Sequence, residues 1–445
     1  MEAGAGLGRV VATRAWRLDL DGFAEGSSFR GALPRLEGRS VVLAVGDMAK
    51  AAAALIELDG VARRIVLCPP GFDLTGLDGL ARAAEADALL HDGDVAPPET
   101  ALDLVACRLP LASPSSASRR GDWQPFATEW IMPTSGTSGP PKLVAHTIAT
   151  LTGAFRPAGA QRWATFYDIR RYGGLQIFLR ALSGTESLTL SSPGEGVDAF
   201  LVRLGEAGAK HISGTPSHWR KVLMSAQAGR IDPDTVRLSG EIADGAVLAS
   251  LRALYPRAKV EHAYASTEAG VGFAVSDGQA GFPASLLDVG GAVTMKVVDE
   301  TLRIRSDRTA LRYVGPDAPT LHDADGFVDT GDVVERRGDR YVFAGRRGGI
   351  INVGGAKVHP EEVEAALNAH AAVRASRVFA RKNPITGALV AAEVVLREGV
   401  SMRDGLSAEI LSACRATLPA HKTPSFLRFV SELPITDGGK LARHG

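Results

Sequence analysis

Thr134-Ser135-Gly136-Thr137-Ser138-Gly139-Pro140-Pro141-Lys142 is the stretch on which the reading of this 445-residue chain turns. Its glycines let backbone N–H groups turn toward an anion, its hydroxyls add donors around the anion's oxygens, and Lys142 brings a mobile positive charge. It is not a Walker A loop, because Leu143 follows Lys142 and the glycine spacing differs. Upstream of it, Ser40 to Val45 reads as a short buried strand, Met48 to Leu58 as an Ala/Leu-rich helix, and Arg64 to Cys68 as a second strand stopped by Pro69-Pro70-Gly71. Strand, helix and strand in about 30 residues make a βαβ unit and predict a parallel sheet. Leu111 to Gly121, rich in Ser and basic residues, reads as an exposed loop.

Downstream the alternation continues. His211 to Ser213 and Lys259 to Ala263 are strand-like; Pro216 to Ala228 and Ala246 to Leu254 are helical, and His146 is expected on a helix just beyond the quoted stretch. From Val289 the texture changes: Thr294–Val298 and Leu302–Arg305 alternate as antiparallel strands around an Asp299-Glu300 turn, and further short strands end near Phe343. After Gly345-Arg346-Arg347-Gly348-Gly349 a helix starts at Pro360, with acids in its first turn. Then come a strand (375–380), a turn at Asn383-Pro384, a strand (389–396), a helix (407–418) and a strand (426–430). The expectation is an α/β protein. Residues 1–345 form a large lobe of parallel-rich sheets and helices with a small β-barrel-like part, and residues 346–445 a mobile small α+β domain.

Composition bounds the function. Fifty basic residues balance fifty acidic ones, 45% of residues are hydrophobic and 22% charged, which argues against a protein that coats nucleic acid or an anionic membrane. Three scattered cysteines and no uninterrupted apolar stretch of membrane-spanning length point to a cytoplasmic protein without disulfides or structural zinc. Gly4-Ala5-Gly6-Leu7-Gly8 mimics a dinucleotide loop, but no strand precedes it and it reads as a frayed terminus.

Four further segments follow the first in order: Tyr264-Ala265-Ser266-Thr267-Glu268, Asp329-Thr330-Gly331-Asp332, Gly345-Arg346 with Gly354-Gly355-Ala356-Lys357-Val358-His359-Pro360, and Pro434-Ile435-Thr436-Asp437-Gly438-Gly439-Lys440. Together the five resemble the signature segments of the ANL superfamily of adenylate-forming enzymes, in the form found in acyl- and aryl-CoA ligases. The resemblance implies that Thr134, Ser135, Gly136, Thr137, Ser138 and Gly139 cradle the phosphates of ATP with Lys142. It implies that Tyr264 stacks on adenine, Thr267 bonds the α-phosphate, Glu268 holds Mg²⁺ and Asp332 grips the ribose hydroxyls. Arg346 then contacts the ribose-phosphate region, and Lys440 is the adenylation lysine. These residue types suit those tasks: an aromatic face for a purine, a carboxylate for a hard cation, a second carboxylate for vicinal hydroxyls.

The implied reaction adenylates a carboxylic acid with release of pyrophosphate, then passes the acyl group to coenzyme A, or to the phosphopantetheine thiol of a carrier protein. Gly348, where the family's hinge has Asp or Lys, and Gly354 and Gly355 are expected to let the small domain rotate between the halves. An acyl pocket is expected from Tyr167, Arg171, Tyr172 and Gly173, from Ser213 to His218, and from Gly240, Glu241, His262 and Ala265. Arg171 stands at a gate position often held by His, Glu241 replaces a small residue and Ala265 replaces Gly. Polar walls and the extra methyl suit a small aromatic, heteroaromatic or alicyclic acid. No nucleic acid or membrane partner is expected, and a homodimer is left open.

Overall fold

Asp47 starts the first helix: its carboxylate accepts from the N–H groups of Ala49 and Lys50 at 2.8 and 3.0 Å, satisfying donors that a helix N-terminus leaves without partners. The helix Met48–Leu58 carries Ala51 to Ala54, all fully buried, so that backbone can approach closely on both sides. The flanking strands Ser40–Leu43 and Arg64–Leu67 pair in parallel, as the βαβ pattern predicts. These relations come from a computed structural model, which describes residues 9–69, 76–93, 99–112, 125–134, 142–153, 155, 161–184, 187–353, 355–383 and 387–434. Ser135, Gly136, Thr137, Ser138, Gly139, Gly354 and Lys440 lie outside the described residues, as do the Gly4–Gly8 run, most of the Leu111–Gly121 stretch and Pro384.

The pair belongs to a seven-stranded sheet that continues through Glu129–Thr134 and Lys142–Thr147 to the edge strand Arg312–Val314. A second sheet of eight strands runs in parallel from Val10–Ala12 through Ser187–Leu190, Arg162–Thr165, His211–Gly214 and Thr235–Ser239 to Lys259–Ser266, with an antiparallel strand at each edge. Between the two sheets lies the largest apolar cluster, where Leu43, Leu55 and Trp130 meet Leu175, Phe178 and Leu190. A third, five-stranded sheet is antiparallel in all its pairings. Asp299 and Glu300 turn one of its hairpins with φ of 49° and 63°. Beyond residue 350, Ile351, Val363, Val378, Val394 and Ile410 build a separate apolar cluster under the sheet Val373–Asn383, Gly387–Leu396, Phe426–Phe429.

Two local expectations are corrected. His146 lies in the strand Lys142–Thr147 rather than on a helix; the helix starts two residues after it, at Ile148, where Thr147 caps Ile148–Thr152. The helix beginning at Pro216 ends at Leu223, not Ala228. Among the described residues, no helix is long and apolar enough to cross a membrane.

Candidate active site

The Thr134–Lys142 stretch joins two antiparallel neighbours of the seven-stranded sheet, so its ends are pinned: Thr134 pairs with Lys142, and the Thr134 hydroxyl donates to the Lys142 carbonyl at 3.3 Å. Lys142, Val144 and His146 share one face of their strand. On that face the imidazole of His146, fully buried, sits with Nε2 2.7 Å from the carbonyl oxygen of Thr267 and Nδ1 2.9 Å from the Thr150 hydroxyl. Burial pushes this histidine down to about 4, so it is neutral at neutral pH and Nε2–H is the donor to Thr267.

The turn that carries Thr267 and Glu268 is thereby fixed from two sides. His146 holds the Thr267 carbonyl, and the N–H of Ala310 donates to the Glu268 carbonyl at 2.9 Å. Gly270, at φ +72°, follows; a methyl there would stand 2.4 Å from the Arg308 carbonyl oxygen, so only glycine fits.

Tyr264 precedes this turn. Its ring packs nearly parallel to Phe343, with centroids 5.2 Å apart and planes 7° apart, and to Phe273 at 5.7 Å. Its hydroxyl donates to Asp332 at 2.5 Å. Burial, and then the Asp332 carboxylate, hold the Tyr264 phenol far above its ordinary range, so it stays a donor. The other Asp332 oxygen accepts from Arg346 Nε at 2.8 Å. Asp329-Thr330-Gly331-Asp332 is part of the strand Val328–Arg337. Gly331 there takes φ +68°, and the Thr330 hydroxyl receives the Asp332 N–H. Arg346 feels the charge of Glu268 as well as that of Asp332, so Tyr264, Glu268, Asp332 and Arg346 from two sheets are joined, and Lys142 of the third sheet stands over the ring of Tyr313, which itself feels Glu268 and Arg346.

The residues expected to line an acyl pocket fall into separate groups. Tyr167 donates through its hydroxyl to the Ser239 carbonyl at 2.9 Å, and His218 stands edge-on to its ring at 6.2 Å. Glu241, next to Gly240 with its φ of +87°, accepts from the Ser217 N–H at 2.9 Å and from the Ser217 hydroxyl at 3.0 Å. Three chain segments therefore converge, with Gly173 beside the Tyr167 ring. Arg171 is the N-terminal boundary of the helix Tyr172–Ser183. Tyr172 and Ala265 belong with the apolar cluster between the two large sheets. His262 is turned elsewhere: its Nε2 is 2.8 Å from the Gly281 carbonyl, on the face of its strand that also bears Tyr264.

Near the start of the C-terminal cluster, Gly348 lies in the short turn Arg347–Gly349, and Gly355 takes φ +90°. Sequence reasoning gave no site role to Phe343, Phe273, His146 or Tyr313. Alternation along Arg340–Arg346 is the signal that could have placed Phe343 beside Tyr264.

The sequence profile described as AMP-binding enzyme matches residues 50–310, and that of the AMP-binding enzyme C-terminal domain matches residues 362–440. The chain belongs to the AMP-binding enzyme family. It is thus an adenylate-forming ligase of the ANL superfamily. A rat relative, acyl-coenzyme A synthetase ACSM4 (mitochondrial), is 27% identical over 443 residues, 85% of this chain and 74% of that protein. In fold, this family member resembles the anthranilate CoA ligase AuaEII in complex with anthranoyl-AMP, with a TM-score of 0.78 and 16% identity over 97% of this chain and 92% of that one. It also resembles the amide bond synthetase McbA from Marinactinospora thermotolerans, with a TM-score of 0.75 and 20% identity over 98% and 96%.

Proposed function

We propose that this enzyme adenylates a small aromatic, heteroaromatic or alicyclic carboxylic acid and transfers the acyl group to the thiol of coenzyme A. The observation that supports the small substrate is the bracing of the three pocket segments. Tyr167 ties the 166–173 segment to Ser239, Glu241 ties the same turn to Ser217, and His218 abuts the Tyr167 ring. These contacts hold the three segments to one another, which favours a small acid over a long acyl chain.

In the first half-reaction a carboxylate oxygen attacks the α-phosphorus of ATP, and the bond to pyrophosphate breaks. Both reactants are anionic, so juxtaposition and charge neutralisation are the main obstacles. Lys142 offers a cation at the end of the Thr134–Lys142 loop, and Lys440 is assigned to offset the charge that builds between carboxylate and α-phosphate. Tyr264 lies against adenine, Asp332 accepts from the ribose hydroxyls, Arg346 steadies Asp332 and Thr267 donates to the α-phosphate. Among the described residues there is no group of three or more acidic, His or Cys side chains able to hold a metal ion. One carboxylate, Glu268, suits Mg²⁺, which takes most of its ligands from water and substrate phosphates; bound there, the ion would supply charge neutralisation. In the second half-reaction the thiol sulfur attacks the acyl carbonyl, AMP leaves and the thiol proton passes to solvent. Two domains, 1–345 and 346–445, with Gly348, Gly354 and Gly355 at the joint, allow the small domain to withdraw Lys440 between the halves.

The test is carboxylate-dependent ATP–pyrophosphate exchange across aromatic, alicyclic and aliphatic acids, followed by thioester formation with free coenzyme A and with a holo-carrier protein. Best exchange is expected with small cyclic acids and best acyl transfer with coenzyme A. Best turnover with C12–C16 chains would overturn the pocket reading, and preference for the carrier would reassign the acceptor.

A further inference from the structure

Tyr313 lies in the strand Arg312–Val314, which closes the seven-stranded sheet by pairing antiparallel with Lys142–Thr147, Tyr313 opposite Val144. Opposed residues of an antiparallel pair point to the same face, and Lys142, two residues from Val144, is the diagonal neighbour of Tyr313 there, within reach of a long side chain. The ammonium of Lys142 stands 5.0 Å from the centroid of the Tyr313 ring. The register is set from the other face, where Leu143, Ala145 and Val314 join Val42, Val66 and Ile131 in an apolar cluster; a one-residue slip would turn Lys142 into it. Burial pushes the Tyr313 phenol up to about 12, Glu268 adds to the rise and Arg346 opposes it. The ring is therefore a neutral aromatic face close to the nucleotide residues, not a phenolate.

We propose that Tyr313 is a positioning residue for adenylation: its ring face holds the ammonium of Lys142 at the mouth of the Thr134–Lys142 loop, aimed at the triphosphate of the incoming nucleotide. A lysine is a compact charge on a flexible four-carbon stem, and Lys142 is exposed. An aromatic face attracts the cation by its quadrupole while leaving N–H donors free for phosphate oxygens. The inference rests on the adenylation reading above, with Lys142 on the nucleotide.

The experiment measures the ATP KM of pyrophosphate exchange in the full-length chain. Tyr313→Leu is expected to raise it about two- to fivefold, the range of a partly exposed cation–π contact, and Tyr313→Phe to restore it. Replacing Tyr313 by phenylalanine with one, two and three ring fluorines keeps the shape and drains the ring face, so the KM is expected to climb step by step. In a Lys142→Met background, Tyr313→Leu is expected to add nothing. A flat fluorine series, or a Leu penalty that persists without the lysine, overturns the inference while leaving adenylation in place. A Lys142→Met variant with the wild-type ATP KM, or a wild-type chain without exchange activity, overturns the role of the lysine and the inference together.

Discussion

Replacing Asp332 by asparagine probes the nucleotide site where its charges are most tightly arranged. Both carboxylate oxygens are in use, one receiving the Tyr264 hydroxyl at 2.5 Å and the other Arg346 Nε at 2.8 Å. The side chain is 17% exposed, against 47% for Arg346. A carboxylate keeps lone pairs for further donors, so two ribose hydroxyls can still bond to it. In Asp332→Asn one oxygen remains for Tyr264, but the amide presents N–H groups toward the guanidinium, donor against donor, and Arg346 is released. Hydrogen bonds to a charged group contribute about 1.5–3 kcal/mol. With partial solvent screening and one acceptor retained, the loss on ATP is roughly 1–2 kcal/mol, a rise of about five- to thirtyfold in ATP KM. The assay is pyrophosphate exchange with ATP and with 2′,3′-dideoxy-ATP. The wild type is expected to favour ATP strongly, and Asp332→Asn to treat the two nucleotides nearly alike. An unchanged ATP KM, or full discrimination surviving in the variant, would refute the reasoning.

Arg170 is 1% exposed and bonds Asp168 through Nε and a terminal nitrogen at 2.8 and 2.6 Å, with the Val45 carbonyl as a further acceptor. Arg170→Ala strands a buried carboxylate and is expected to cost about 3–5 kcal/mol, read as a drop in urea midpoint; removing Asp168 as well should recover part of it. Gly174→Ala would set a methyl 2.1 Å from the Asp168 carbonyl oxygen and destabilise the fold by about 1–3 kcal/mol, read as a lower thermal midpoint. At Gly173 the atoms nearest a methyl are those of the Tyr167 ring, from 3.7 Å, so Gly173→Ala should fold normally and alter the KM for the acid alone. Burial lowers His146 and His218 to about 4 from an ordinary 6.5. The unfolded chain therefore takes up protons first as pH falls, and stability is lost between pH 6.5 and 4, by about 2 kcal/mol per histidine at pH 5. In His218→Asn, whose amide oxygen can still accept from the Thr215 N–H, part of that loss between pH 7 and pH 5 should vanish from urea titrations; an unchanged loss would contradict the assignment.

Much of the fold was legible because the βαβ signal is local: a short apolar strand, a capped Ala-rich helix and a second strand occupy consecutive residues. What stayed hidden depends on distant partners. His146 carries no local mark of a strand; it is one because Glu129–Thr134 pairs beside it and Arg312–Val314, far along the chain, pairs on its other side. Glu241 reads as a pocket lining, and nothing local reveals that Ser217 would engage its carboxylate. His262 and Ala265 were grouped by proximity in sequence, although strand alternation alone puts His262 with Tyr264 and turns Ala265 to the opposite face. The residues proposed to bind the nucleotide are marked by sequence motifs, whereas the aromatic neighbours of Tyr264 and the lysine–tyrosine contact arise only from sheet register.

The late arrival of the strand Arg312–Val314 has a cost during synthesis. The strand Lys142–Thr147 emerges from the ribosome 167 residues before Val314, and at about 5–20 residues per second that interval lasts roughly ten to thirty seconds. Throughout it, one row of backbone donors and acceptors beside the loop has no neighbour, the kind of bare border that recruits strands from other chains. A fragment cut at residue 310, where the match to the larger family profile ends, would keep that border permanently and should aggregate, whereas one extended through Arg346, which also completes the five-stranded sheet, should stay dispersed.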